Sequence, residues 1–286
     1  MRQSLEDQAM DVIDRGRSDS PLLVLPVDRR VRAFLGGTAV ADSRRVLLML
    51  ERAHLPVYYF PRADVRTELM ERTDKRTRCP LKGEASYWSL RVPGGPGVSP
   101  DVPGGPGVSP DVADRVVRDA VWGYEEPIPE AAAIAGHVAF YWNRIDAWFE
   151  EDDEVFVHPR DPYSRIDVLN SSRHVRVVIE GETVAETTRP RLLFETGLPT
   201  RYYIPKIDVR MDLLRPSATH TRCPYKGLAS YWHVEAGGKL AEDIAWFYYP
   251  ALPEVAKIEN LVCFFNERVD LHVDGECLSR PKTHWS

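Results

Sequence analysis

The chain has 286 residues, 43% of them hydrophobic and 28% charged, with a formal net charge of −6. That length accommodates two domains, each with its own core, and the acidic balance gives no overall field for nucleic acid. The first twenty residues are polar and mixed in charge, and no apolar run nears the roughly 18 residues of a membrane span, so a chain without a signal peptide or a membrane segment is expected.

Two stretches nearly coincide: Thr77-Arg-Cys-Pro-Leu-Lys-Gly-Glu-Ala-Ser-Tyr-Trp88 and Thr221-Arg-Cys-Pro-Tyr-Lys-Gly-Leu-Ala-Ser-Tyr-Trp232, offset by 144 residues. The offset also aligns the flanks from Val31/Val175 onward, so the chain reads as one unit made twice. In chain order, Val31–Ala41 and Val175–Ala185 each predict two short strands joined at Gly36-Gly37 or Glu180-Gly181. The apolar runs Val46–Glu51 and Arg191–Glu195 predict a further strand, as do Tyr58–Pro61 and Tyr202–Pro205. Asp64–Met70 and Asp208–Leu214, each following a proline and opening on an acid, predict one short helix per copy.

After the repeated segment come a strand ending Ala-Ser-Tyr-Trp and a second strand, Asp119–Tyr124 or Asp243–Tyr248, where the offset falls to 124. The difference is a decapeptide, Val92–Asp101, repeated without change as 102–111, whose proline and glycine density predicts a disordered hairpin tip. Each copy closes with a helical turn at Pro129 or Pro253 and an expected hairpin, Val138–Trp148 or Val262–His272, and Asp274-Gly275 is itself a hairpin signal. Residues 1–29 read as a polar leading segment, 30–165 as the first repeat domain and 166–286 as the second, both mainly β.

The Cys-Pro-x-Lys-Gly segment carries the strongest candidate chemistry. Lys82 and Lys226 lie three residues from Cys79 and Cys223, with Arg78 and Arg222 adjacent, an arrangement that favours a thiolate. The same cations with the Gly83 or Gly227 backbone suit a phosphate or carboxylate. The bland alternative makes both cysteines small buried hydrophobes in a turn shaped by proline and glycine. Tyr87, Trp88, Trp122 and Tyr124, with Tyr231, Trp232, Trp246 and Tyr248, either wall a pocket that stacks a flat ligand or pack a core; Tyr87 and Trp88 must face opposite sides, while Trp122 and Tyr124 share one. Arg144-Ile-Asp146 and Arg268-Val-Asp270 place a guanidinium and a carboxylate on one strand face, to bind an anion or to pair with each other.

None of Cys79, Cys223, Cys263 and Cys277 forms a Cys-x-x-Cys pair, so a reducing cytoplasm is expected, and no histidine spacing suits a metal.

With its Thr-x-Cys-Pro-x-Lys-Gly-x-Ala-x-Tyr-Trp segment, the Trp-x-Tyr strand and the Arg-x-Asp hairpin, the sequence resembles the domain of unknown function 427 family across both copies. The resemblance implies tandem β-tent-like domains, each a bent antiparallel β-sandwich, and brings a nucleotidyltransferase label with it. Relatives of that fold often hold zinc between two Cys-x-x-Cys knuckles, which this chain lacks, so no metal is carried over. The leading expectation is a pocket for a small anionic or nucleotide-like ligand, with Cys79, Lys82, Cys223 and Lys226 as candidate reactive residues and nucleotidyl or group transfer as the reaction. Arg222, Gly227, Tyr231, Trp232, Trp246, Tyr248, Arg268, Asp270, Trp88, Trp122, Tyr124 and Arg144 would hold the ligand. The second copy is favoured as the intact site because it keeps Tyr225 and the aromatic run Trp246–Tyr249. The rivals are a non-catalytic protein-interaction module and a thiol-redox enzyme.

Overall fold

The computed structural model describes residues 21–94 and 114–286. The decapeptide repeat, apart from residues 92–94, and the first twenty residues lie outside the described residues. The described chain divides into two compact units between Asp161 and Pro162.

The first unit contains β1 (Leu22–Pro26), β2 (Val31–Leu35), β3 (Thr38–Ser43), β4 (Leu47–Glu51), β5 (Val57–Pro61), β6 (Met70–Cys79), β7 (Gly83–Val92), β8 (Arg115–Gly123), β9 (His137–Phe140), β10 (Ala147–Glu150) and β11 (Asp153–Val155). They form a seven-stranded sheet in the order β1-β4-β5-β9-β8-β7-β6 and a four-stranded sheet in the order β11-β10-β2-β3. The second unit contains β12 (Ile166–Asn170), β13 (Val175–Ile179), β14 (Glu182–Thr187), β15 (Arg191–Glu195), β16 (Arg201–Ile204), β17 (Leu214–Cys223), β18 (Gly227–Ala236), β19 (Lys239–Ala251), β20 (Val262–Phe264), β21 (Asp270–Val273) and β22 (Glu276–Cys277). Its sheets run β12-β15-β16-β20-β19-β18-β17 and β14-β13-β21-β22. All pairings between these strands are antiparallel, so each unit is a two-sheet β-sandwich of the expected class.

Alternation puts two cores on the seven-stranded sheet of the first unit. One face packs Leu48, Phe60, Trp88, Leu90, Val121 and Phe140 against Val31, Ala33, Leu35 and Trp148 of the small sheet. The opposite face gathers Met49, Tyr59, Tyr87, Tyr124 and Ile134, with Trp122 and Tyr141 packed against them. Tyr87 and Trp88 thus face opposite sides, and Trp122 shares a side with Tyr124, as the strand period requires.

The tight hairpins follow turn chemistry. Leu35 pairs with Thr38 and Ile179 with Glu182, so each loop has two residues. Both residues of each loop have positive φ (57° and 75° at Gly36-Gly37, 49° and 78° at Glu180-Gly181), the type I′ geometry that matches strand twist. Asp274-Gly275 closes β21 onto β22 in the same way, with φ of 52° and 88°.

Three expectations change. The predicted helix at 64–70 is instead two 3-10 turns, Arg62–Asp64 and Thr67–Leu69, with Val65 extended between them and bridged to Ala41. A stretch this short is too brief to nucleate an α-helix against that pairing, and Lys206–Asp208 and Met211–Leu213 repeat the pattern. The expected hairpin 138–148 is a crossover: β9 belongs to the large sheet and β10 to the small one, with the 3-10 turn Trp142–Arg144 redirecting the chain. Residues 22–26, read as part of the polar leading segment, pair with β4, and the offset of 144 already aligns them with β12. No helix among the described residues is long and apolar enough to cross a membrane.

Candidate functional site

The repeated motif is a hairpin loop. Cys79 pairs with Gly83 and Cys223 with Gly227, leaving three loop residues in each copy. The amide of Lys82 donates to the Cys79 carbonyl at 3.3 Å, and that of Lys226 to the Cys223 carbonyl at 3.4 Å. Proline sits at the second position of that turn, where its fixed φ is preset. Glycine follows because its φ is 100° at Gly83 and 103° at Gly227, a conformation L side chains rarely adopt. A Cβ on Gly227 would also stand 3.1 Å from the Pro250 carbonyl oxygen. The lysine carbonyl then accepts from the amide of Ile128 or Leu252 at 3.2 Å, docking the loop on the sheet.

This docking turns the lysines inward. Lys82 is 6% exposed and Lys226 8%. Lys82 Nζ donates to Glu51 Oε2, and Lys226 Nζ to Glu195 Oε2 at 2.5 Å. Each glutamate ends the strand β4 or β15, and neither was singled out from the sequence, although both are identical at the repeat offset. A buried ammonium needs such a partner, so the lysines are structural ions first. The ammonium expected to favour a thiolate at Cys79 or Cys223 is spent on a carboxylate.

In the first unit the Glu51–Lys82 pair borders a cavity of about 490 Å³. It opens where the β4–β5 connection (His54, Leu55, Pro56), the turn after β9 and residues 157–159 converge. Trp122 and Tyr141, whose ring centroids are 4.4 Å apart, form one wall. Trp142 and Trp148, stacked at 4.5 Å and 7°, form another. Burial raises the Tyr59 hydroxyl well above its ordinary pKa, and burial with a hydrogen bond to Tyr87 brings Tyr141 up to about 12, so both remain neutral phenols. At the rim Val157 holds a φ of 73°, a strained value for a β-branched residue.

In the second unit side chains of the chain itself occupy the corresponding place. Val57 is replaced by Arg201 and Asn143 by Glu267, which form a bidentate pair at 2.7 and 2.8 Å with side chains 7% and 0% exposed. The guanidinium lies over the rings of Trp246 at 5.5 Å and Trp285 at 5.1 Å. Thr283 Oγ1 donates to Glu267 Oε1 at 2.7 Å, and the Trp285 ring lies 6.3 Å from that of Phe265, the counterpart of Tyr141. The sequence reading favoured the second copy as the site; the geometry favours the first.

The other candidate residues divide by face. Trp88 is buried between the sheets, with Arg62 and Arg72 over its ring; Trp232, its counterpart, packs against Phe247. Tyr124 and Tyr248 are buried beside the motif loop, and the Lys82 ammonium is 6.0 Å from the Tyr124 ring. Tyr231 pairs its hydroxyl with Thr221 at 2.9 Å, as Tyr87 does with Thr77 at 2.7 Å. Trp246 bonds Tyr203 through its indole N–H at 3.3 Å. Cys79, Cys223 and Arg222 sit on the motif hairpin, outside the cavity lining.

Arg144 and Arg268 do not pair with Asp146 and Asp270. Arg144 Nη1 donates to the carbonyls of Arg118 and Asp119 at 2.6 and 2.7 Å, and Arg268 Nη2 to that of Glu242 at 3.0 Å. They clamp β8 and β19 where Asp119 and Asp243 take positive φ. Asp146 accepts from Gly36 and Arg115, and Asp270 from Arg280. The 3-10 turn at Trp142–Arg144 in the first unit, and the turn over 266–268 in the second, separate the two residue types that a continuous strand would have put on one face.

No curated protein matches the sequence. A family match covers residues 23–151 and again 167–275, one for each unit. The chain therefore belongs to the family described as domain of unknown function DUF427, as a tandem duplication of that domain.

Proposed function

We propose that the cavity of the first unit binds a small molecule through a planar ring, as the base of a nucleotide-like ligand would be held. The observation that carries this is an aromatic-walled cavity of about 490 Å³ with the motif lysine and its glutamate in its lining. That volume lies within the range of small-molecule sites. Paired rings favour a flat ligand face, worth about 1–3 kcal/mol per stacked base. The Glu51–Lys82 pair supplies both a donor and an acceptor for the polar edge of such a ring. Its charges balance, so an anionic group gains less here than the ring does. Group transfer is an extension of the reading that awaits a ligand, since Lys82 is bonded to Glu51 rather than poised at Cys79.

Calorimetric titration of nucleobases and nucleosides into the whole chain tests the reading. Saturable binding by the parent, weakened at least about tenfold in Trp122→Ala, is the expected result. No saturation by any ring compound would refute it and favour the protein-interaction rival.

A further inference from the structure

The second unit displays an occupant. The amides of Glu151 and Asp274 bond the equivalent carbonyls of Arg30 and His174, an offset of 123, and at that offset residues 157–159, which border the first cavity, correspond to Arg280, Pro281 and Lys282. In the first unit this stretch runs along the rim. In the second, three residues past Lys282, the indole of Trp285 packs on the core. Its partners are Arg201 and Phe265, the counterparts of Val57 and Tyr141, both of which line the first cavity. The duplicated scaffold therefore seats a bicyclic aromatic ring at this place when the chain supplies one.

We infer that the ring recognised by the first unit is bicyclic and heteroaromatic, of indole or purine size, and that Trp285 is the built-in stand-in for it in the second unit. This rests on reading the first cavity as a ligand site. The chemistry agrees with the seat. Trp285 is held by ring and cation–π contacts, and the neighbouring hydrogen bond to Glu267 comes from Thr283 rather than the indole. What the place selects is thus a flat apolar face of that width. In the first unit Val57 stands where Arg201 does, and Pro162, the residue at the position of Trp285, is not in the cavity lining.

The test uses indole and adenine against cytosine and phenol, titrated into the full chain and into Trp285→Ala, with stoichiometry and affinity read by calorimetry. The parent is expected to take one bicyclic ligand per chain, at least tenfold tighter than either monocyclic ring. Trp285→Ala is expected to take a second indole, which also restores part of its lost melting temperature. Trp285→Leu, which keeps apolar bulk, serves for the same count if the alanine variant does not fold. Equal or tighter binding of cytosine or phenol by the parent overturns the inference while leaving the cavity a ligand site, as does a folded Trp285 variant that gains no indole. Failure of every ring to bind the parent overturns both.

Discussion

The two units share a strand order, a motif loop and a buried lysine–glutamate pair, yet they differ where those features converge. The first leaves a cavity beside Glu51 and Lys82; the second fills the matching place with Arg201, Glu267 and Trp285. The shared parts are therefore what the fold needs, and the differing parts are where function has room to sit. The repeated lysines, read as catalytic candidates, are each paired with a glutamate in both units, while Val57/Arg201 and Tyr141/Phe265 differ between the copies at the place of the cavity.

Breaking the filled site should have the largest effect. Glu267→Ala leaves Arg201 charged and buried without its partner and is expected to cost about 3–5 kcal/mol. Urea unfolding should show the loss in the second unit alone. A loss under about 1 kcal/mol would mean that the pair does not replace the cavity structurally.

The shared pair comes next. Lys82→Ala and Lys226→Ala each strand a largely buried glutamate and should destabilise their units by about 2–3 kcal/mol. Similar losses in the two units would sharpen the comparison, because they separate the lysine's structural duty from ligand binding. A Lys82→Ala variant of unchanged stability would return the lysine to a purely functional role.

A smaller difference should appear in acid. Burial works to raise the Glu267 carboxyl, but hydrogen bonds from Arg201 and Thr283 outweigh it and hold the group below its ordinary value of 4.5. A carboxyl with a depressed folded-state pKa stabilises fully above its ordinary value and loses that contribution as the pH falls through the folded one. The second unit should therefore weaken below about pH 4.5. Glu267→Gln should flatten that acid limb and leave the first unit, with Asn143 at this position, unchanged. An acid limb unaltered by the substitution would assign the loss to other carboxylates.

Much of the architecture was legible because its signals are local. Glycine and Asp-Gly turns fixed six strands by backbone sterics, alternation assigned the faces of Tyr87 and Trp88, and the repeat offset gave the duplication. The crossover after β9 was not legible: Val138–Trp148 reads as continuous β-favouring sequence, and only tertiary packing shows the 3-10 turn at Trp142–Arg144. The site was half legible. The motif named Lys82 and the strand pattern named Trp122, but Glu51 looked like the polar end of an apolar run. Trp142 and Trp148 meet at 7° only because that turn folds one back on the other. The filling of the second site depends on a pair 66 residues apart, Arg201 and Glu267, which no local pattern announces.

The most direct test of the asymmetry is the set of indole N–H resonances from the seven tryptophans, followed while adenine is added to the full chain. The signals of Trp122, Trp142 and Trp148 are expected to shift in a saturable way, with those of Trp232, Trp246 and Trp285 unmoved. Shifts centred on Trp246 and Trp285, or none at saturating adenine, would contradict the assignment of an open ring site to the first unit and a self-occupied one to the second.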